Sequence, residues 1–410
     1  MSSEPTPDPP RHPLSLPHFR NLWLGATISQ LGDQFYLVAL PLLALQMTGS
    51  SVILGALLMT AAIPRALLML VGGAVIDRFS ARRVLLTTAA VRTVLVGAVA
   101  ALTWFHLIQL WELYALTFAF GVADAFSFPA GPALMPTLVP PEQLQPANAL
   151  MQGSTVLTQM AGPAPAGLLI QAVGVASALF FDALSFVGVI LALLRIPDPP
   201  KAPAATEAPA RPSMLRSIGE GLRAVRNDPP LLSLMIVIAT INICISGPIT
   251  VGLASMATFL FKSPAAFGTL LSCFGGGTLA GILIGGRLRR PRRRGLQFII
   301  MSGLCGLELV AIGLILKLVA IALLLAVMGL GVGFVNVQFA AWMQMRVDRA
   351  ILGRVMSVMM FSAVGLVPVS YAIAGLLAAW SLPFLFIAAG AVLAITSALA
   401  LTGEAARGID

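Results

Sequence analysis

Apolar stretches long enough to cross a bilayer as helices recur along this chain, separated by short polar breaks. A helix of about 20 residues spans the roughly 30 Å hydrocarbon layer. On that length the pattern predicts twelve spans: 18–46, 52–75, 84–106, 110–131, 147–172, 175–195, 229–261, 264–286, 296–317, 319–343, 353–378 and 381–403. The expected fold class is an all-α membrane protein. Residues 196–228, rich in proline, alanine and arginine, divide the spans six and six. This predicts an N-terminal tail (1–17), a six-helix half (18–195), a linker (196–228), a second six-helix half (229–403) and a C-terminal tail (404–410). The first 17 residues hold no apolar run of the kind cleaved as a signal peptide, so the first span is expected to be retained.

The halves read as copies of one another. A shift of 213 positions lays Pro17 on Pro230, Ile28 on Ile241 and Gly72-Gly73 on Gly285-Gly286, and a shift of 210 lays Gly121-Val122 on Gly331-Val332. Parallel six-helix repeats related by an axis along the membrane normal are a transporter architecture, with the ligand site near the midplane between them.

Composition agrees with this class. Hydrophobic residues make up 58% of the chain and charged residues 10%, against about 25% charged in soluble domains. The net charge of +9 changes meaning once each cation is placed on the predicted topology. With the N-terminus in the cytoplasm, Arg78, Arg82 and Arg83, the linker cations, the cluster from Arg287 to Arg294, and Arg346, Arg349 and Arg354 all lie inside; Lys262 and Lys317 alone lie outside. That asymmetry is the positive-inside rule for two cytoplasmic termini, here in a cell (inner) membrane. It explains the basicity without nucleic acid as a partner, and the 287–294 cluster can also touch anionic headgroups of membrane lipids. Cys244, Cys273 and Cys305 fall within spans and form neither a disulfide framework nor a zinc spacing.

Six charged residues lie inside predicted spans: Asp33, Arg65, Arg92, Asp124, Asp182 and Glu308. A charge at the bilayer centre costs about 2.5–3.5 kcal/mol on insertion scales, so such residues face a partner or a cavity. Asp33, Asp124 and Glu308 are the candidates for proton coupling. Asp33 lies among polar neighbours in Ser29-Gln30-Leu31-Gly32-Asp33-Gln34. Two readings of it stand: a proton carrier in a partly dry cavity, where the charged form is disfavoured, or an ion pair with Arg92 or Arg65. Arg65 and Arg92 are the expected charge partners. Asp182, near the outer end of the sixth span, is expected to cap or hydrogen-bond locally. The histidines, His12, His18 and His106, flank the spans, which leaves any proton relay to carboxylates.

The break after the second span contains Gly73, Asp77, Arg78, Arg82 and Arg83. These residues resemble the loop signature of the major facilitator superfamily. The fifth span carries Gly162, Pro163 and Gly167, which resemble the Gly-Pro and following glycine of the superfamily's exporters, with Ala166 where the family has its penultimate glycine. Proline and glycine require this helix to bend. Phe128-Pro129-Ala130, Met135-Pro136 and Ala147-Asn148, with Ser29, Gly32 and Asp33, resemble the drug:proton antiporter-3 branch, which includes macrolide and enterobactin exporters. The resemblance implies a gate in which Asp77 meets the start of the eleventh helix, where Arg354 lies. Ser80-Ala81 departs from the family's glycine and arginine at that loop.

No P-loop, catalytic triad or metalloprotease pattern is present, so an enzyme is not expected, nor a metal or cofactor; a proton gradient is the expected energy source. The expected activity is efflux of an amphipathic small molecule by a chain working as a monomer. Gln34, Tyr36, Phe128, Asn242, Asn336, Gln338 and Trp342 are the candidate cavity residues. A lipid or lysolipid flippase of the same fold and a nontransporting membrane sensor or scaffold are the alternatives.

Overall fold

A computed structural model describes residues 12–197, 228–287, 294–346 and 364–402, with Arg223, Arg226 and Ser362. The helices of the first half are α1 (Pro17–Thr48), α2 (Ser51–Phe79), α3 (Ala81–Trp104), α4 (Leu110–Leu134), α5 (Leu144–Ala161), α6 (Pro163–Val173) and α7 (Val175–Leu194). Those of the second half are α8 (Pro229–Gly247), α9 (Pro264–Arg287), α10 (Arg294–Leu314), α11 (Leu318–Arg346), α12 (Val367–Trp380) and α13 (Leu382–Thr402). Eleven spans among the described residues are long and apolar enough to cross a membrane, and α12 is a shorter apolar helix. Most of the linker 196–228, both chain ends and Arg354 lie outside the described residues.

Local chemistry sets the helix ends. Gly49 closes α1 in a left-handed conformation (φ 62°), its N–H donating to Leu45 O, as glycine does without a Cβ penalty. Ser50 then caps α2 by accepting from Ile53 N at 3.4 Å. Glu112 accepts from Gln109 N at 2.9 Å to cap α4, and Asp228 accepts from Leu231 N at 3.2 Å to cap α8. The bend foreseen in the fifth span is a break at Gly162: Pro163 opens a new helix, so α5 and α6 together make that span. The seventh span continues beyond α8 through two widened π-type turns, Pro248–Gly252 and Met256–Leu260, which the apolar pattern does not foretell.

The repeat is visible in the packing. In the first half α2 packs on α4 and α3 on α7; in the second, α9 packs on α11 and α10 on α13. The halves meet where α2 packs on α12 and α6 on α9. Those contacts cluster at the end of the bundle opposite the N-terminus. There Gly55 faces Gly375, Gly167 faces Gly268, Ser51 and Ser255 share a buried hydrogen bond of 2.8 Å, and Ser263 donates to Gln171 at 2.7 Å. Small residues let these backbones touch, which is how helices hold together without a hydrophobic drive between them.

Candidate functional site

Asp33 lies near the midpoint of α1. Arg92 on α3 donates from Nη2 to Asp33 Oδ1 at 2.6 Å, and its Nη1 lies 3.7 Å from Asp124 Oδ1 on α4. Arg65 Nε on α2 lies 3.1 Å from Asp124 Oδ2. Four intramembrane charges from four helices thus form one network, Asp33–Arg92–Asp124–Arg65. Their pairing offsets the desolvation that makes a lone buried charge so unfavourable.

The network is closed at its middle and more exposed at its two ends. Arg92 is only 10% exposed, whereas Asp33 is 34% and Arg65 43% exposed. The guanidinium of Arg92 lies over the rings of Phe186 at 4.3 Å and Phe120 at 4.7 Å, contacts that replace some of its lost hydration. Arg65 lies over Phe128 at 5.6 Å and is within electrostatic reach of Tyr371 on α12. It therefore stands where the halves face each other. Tyr36 stacks on Phe120 with centroids 4.5 Å apart, one ring away from Arg92.

A fifth charged residue joins this group. Asp182 on α7 is completely buried and stands against the backbone of α1, not at a helix end. Gly32 makes that approach possible: a Cβ there would clash with Ser185 Oγ and lie 2.7 Å from Asp182 Oδ1. Ser185 Oγ donates to the Asp182 carbonyl at 2.7 Å and reaches Oδ1 at 3.4 Å, while Oδ2 has no hydrogen-bond partner. The expected local hydrogen bond is present in the contact with Ser185, while the placement at a helix end is corrected: Asp182 lies within α7 against α1. The available signal was Gly32, a small residue beside Asp33 that marks where another helix comes close.

The other candidates distribute as follows. Asn242 and Asn336 line a cavity of about 490 Å³ in the second half, together with Ser246, Ser302, Cys305 and an apolar wall that includes Phe274, Phe298 and Phe339. Glu308 lies on the same face of α10 as Met301 and Cys305 of that wall, by the i, i+4, i+7 spacing. Its Oε2 is buried without a hydrogen-bond partner. Gln338 does not line this cavity; it is buried and donates to Gly285 O at 3.4 Å. For Trp342 only the backbone is described, within α11. Among the described residues no group of three or more His, Cys, Asp or Glu is arranged to hold a metal ion.

The fifth-span motif has a steric role at each glycine. A Cβ on Gly162 would sit 2.6 Å from Gln34 Cβ, so this glycine seats the break between α5 and α6 against the residue following Asp33. A Cβ on Gly167 would sit 2.8 Å from Pro264 O and 3.2 Å from Gly268 Cα, so this one seats the first half against the second. Bend and inter-half contact therefore come from the same short stretch.

The family model described as Major Facilitator Superfamily matches residues 22–369. The chain belongs to the Major Facilitator Superfamily. It is 28% identical over 407 residues to the multidrug efflux pump Tap of Mycobacterium tuberculosis (strain ATCC 25618 / H37Rv), covering 95% of this chain and 94% of that one. It is 24% identical over 345 residues to macrolide efflux protein A of Streptococcus pyogenes, covering 83% and 84%. Among solved structures, a mutant of the nucleoside transporter NupG shares the fold with a TM-score of 0.74 at 14% identity, covering 94% of this chain and 99% of that one. This superfamily member is a multi-pass membrane transporter with two six-helix repeats, in a family of single-chain transporters of small substrates rather than enzymes.

The superfamily loop is seen in part. Gly73 and Asp77 belong to the last turns of α2, where only their backbone is described. Arg78 lies over Phe79 at 5.3 Å, and Arg82 Nε donates to Leu193 O at 3.0 Å, tying the loop to the end of α7. Arg83 N donates to Ser80 Oγ at 3.4 Å. Ser80 adopts φ 69° and ψ 141°, a conformation that glycine reaches freely and serine does not. The family's glycine at this turn thus has a backbone reason. The proposed partner of Asp77, at the start of the eleventh span, lies outside the described residues.

Proposed function

We propose that this transporter exports an amphipathic small molecule in exchange for protons, by rocking the half 18–195 against the half 229–403. The observation that carries this reading is the division of labour between the halves. The first holds the network of Asp33, Arg92, Asp124 and Arg65; the second holds a roomy cavity whose wall is apolar with neutral Asn and Ser groups. A cargo with an apolar body and one polar or cationic end suits the pair. Methionine and aromatic walls accommodate varied shapes, and the efflux names of Tap and macrolide efflux protein A support export.

The cation asymmetry supports both termini in the cytoplasm. In that orientation the glycine contacts between α2 and α12 and between α6 and α9 shut the outer side. Asp77, Arg78, Arg82, Arg83 and Arg354 would then form the inner gate, closing when the outer contacts part. The chain works as a monomer, with lipid headgroups near the 287–294 cluster.

Purified protein in proteoliposomes with an imposed pH gradient tests the reading directly. Wild type is expected to accumulate a lipophilic cation or a macrolide against its gradient, and Asp33→Asn is expected to insert normally yet lose gradient-driven accumulation. Full accumulation by Asp33→Asn removes the network from coupling. Movement of a labelled lysolipid with no response to the gradient would transfer the assignment to a flippase.

A further inference from the structure

Asp182 stands apart from the other carboxylates of its group. Asp33 and Asp124 each lie within 4 Å of a guanidinium, and among the described residues no cation lies that close to Asp182. Its side chain is completely buried and its Oδ2 has no hydrogen-bond partner. An ionised carboxylate held in that way would be strongly unfavourable, since no counter-ion within 4 Å among the described residues and only one long hydrogen bond, from Ser185 Oγ to Oδ1 at 3.4 Å, replace its hydration. A carboxylic acid in the same place is far less so.

The surroundings of Asp182 are few. From α1 the titratable groups in electrostatic reach are Asp33 and Tyr36, and from α3 it is Arg92; α6, also packed on α7, contributes none. Among the described residues Arg92 is thus the one cation with access to both Asp33 and Asp182. The group of three carboxyls and two guanidiniums is electrically neutral when one carboxyl carries a proton, and the unpaired one is Asp182.

We infer that Asp182 is the resting site of the coupling proton, and that Arg92 exchanges it for the positive charge of a monovalent amphipathic cation by moving from Asp33 to Asp182. When a cationic cargo occupies Asp33, the exposed carboxylate of the network, Arg92 loses its 2.6 Å partner. The O–H bond of Asp182 then breaks, the proton leaves, and the new carboxylate pairs with Arg92. Charge balances: Asp33 with cargo, Asp124 with Arg65, Asp182 with Arg92, and one proton released for one cation taken up. Reversing the order after cargo leaves reloads Asp182. The exchange step rests on the proton-coupled reading above; the protonation of Asp182 at rest does not.

The full-length protein in nanodiscs is examined at neutral pH with tetraphenylphosphonium as the probe, by infrared difference spectroscopy and by a pH indicator in weak buffer. Wild type is expected to show the carbonyl stretch of a buried carboxylic acid, lost as the probe binds, with one proton released per probe bound. Asp182→Asn is expected to lack that band and the release while still binding the probe. Asp33→Asn is expected to lack the band already at rest, because Arg92 without its Asp33 partner pairs with an ionised Asp182, and to show no probe-driven proton release. Absence of an acid band from resting wild type, or its survival in Asp182→Asn, overturns the inference, as does undiminished proton release from Asp182→Asn. If Asp182→Asn does not fold, the wild-type and Asp33→Asn spectra decide the point. A wild type that shows the band but binds no probe keeps Asp182 as the proton site and instead overturns the cationic-cargo reading.

Discussion

Arg92 donates to Asp33 at 2.6 Å across the space between α3 and α1, although 59 residues separate them in the chain. Nothing along either helix specifies that meeting. It arises because α7 packs on both α1 and α3, which turns their charged faces toward a common interior. The contact makes Arg92 the hinge of the network, since the same guanidinium also lies 3.7 Å from Asp124.

Replacing Arg92 by methionine keeps an unbranched apolar stem and removes the guanidinium, leaving Asp33 without its cation and Asp124 with Arg65 alone. Removing one partner of a buried pair costs about 3–5 kcal/mol. Arg92→Met is expected to lower the thermal transition of the detergent-purified protein, and Arg92→Met combined with Asp33→Asn to recover part of the loss. Equal transitions for Arg92→Met and wild type would show the pair to be structurally neutral.

Gly375 lets α12 touch α2. A Cβ there would lie 2.8 Å from Ser51 O and 3.1 Å from Gly55 Cα, both backbone atoms that cannot turn aside. Gly375→Leu is therefore expected to hold the two halves apart at this end. Spin labels on Val173 and Lys262 should report a shift of the main population to longer distance, with transport lost and expression retained.

Asn336 and Asn242 supply neutral hydrogen-bonding groups to the cavity of the second half. Asn336→Ala removes one such group from an otherwise apolar wall. A hydrogen bond of about 1 kcal/mol corresponds to roughly fivefold weaker binding, measurable as cargo affinity by calorimetry or fluorescence. Proton release per bound cargo should stay unchanged, because the network of Asp33, Arg92, Asp124 and Arg65, with Asp182, lies in the other half.

Ser80 holds a positive φ of 69° at the turn between α2 and α3. Such a conformation costs a non-glycine residue on the order of 1–3 kcal/mol, while exchanging a serine cap for glycine loses only a few tenths. Ser80→Gly is expected to stabilise the protein by about 1 kcal/mol, seen as a raised thermal transition. A lowered transition would mean that the Ser80 Oγ contact with Arg83 N matters more than the backbone conformation.

The all-helical class and the succession of apolar spans were legible in the chain because lipid and water act on each residue locally. Twenty consecutive apolar residues have one low-energy state in a bilayer, whatever the rest of the protein does. The same pattern put Asp33, Arg65, Arg92 and Asp124 within apolar helices. The break at Gly162 followed from the proline beside it, a chemical property of that one bond.

Partnership was not legible, because it depends on the rotation of each helix about its axis and on how closely its neighbours come. Asp33 faced two arginines equally well as a sequence, and the packing of α1, α3 and α7 selected Arg92. Gln338 and Asn336 are two residues apart on one helix, yet the first turns to Gly285 and the second to the cavity. Asp182 looked like a residue near a helix end until Gly32 brought α1 against it. The sequence by itself determined which segments are apolar helices long enough to cross a membrane, since transfer between lipid and water acts position by position. Tertiary structure alone decided which charges meet, since electrostatic pairing and steric close approach are properties of two helices at once.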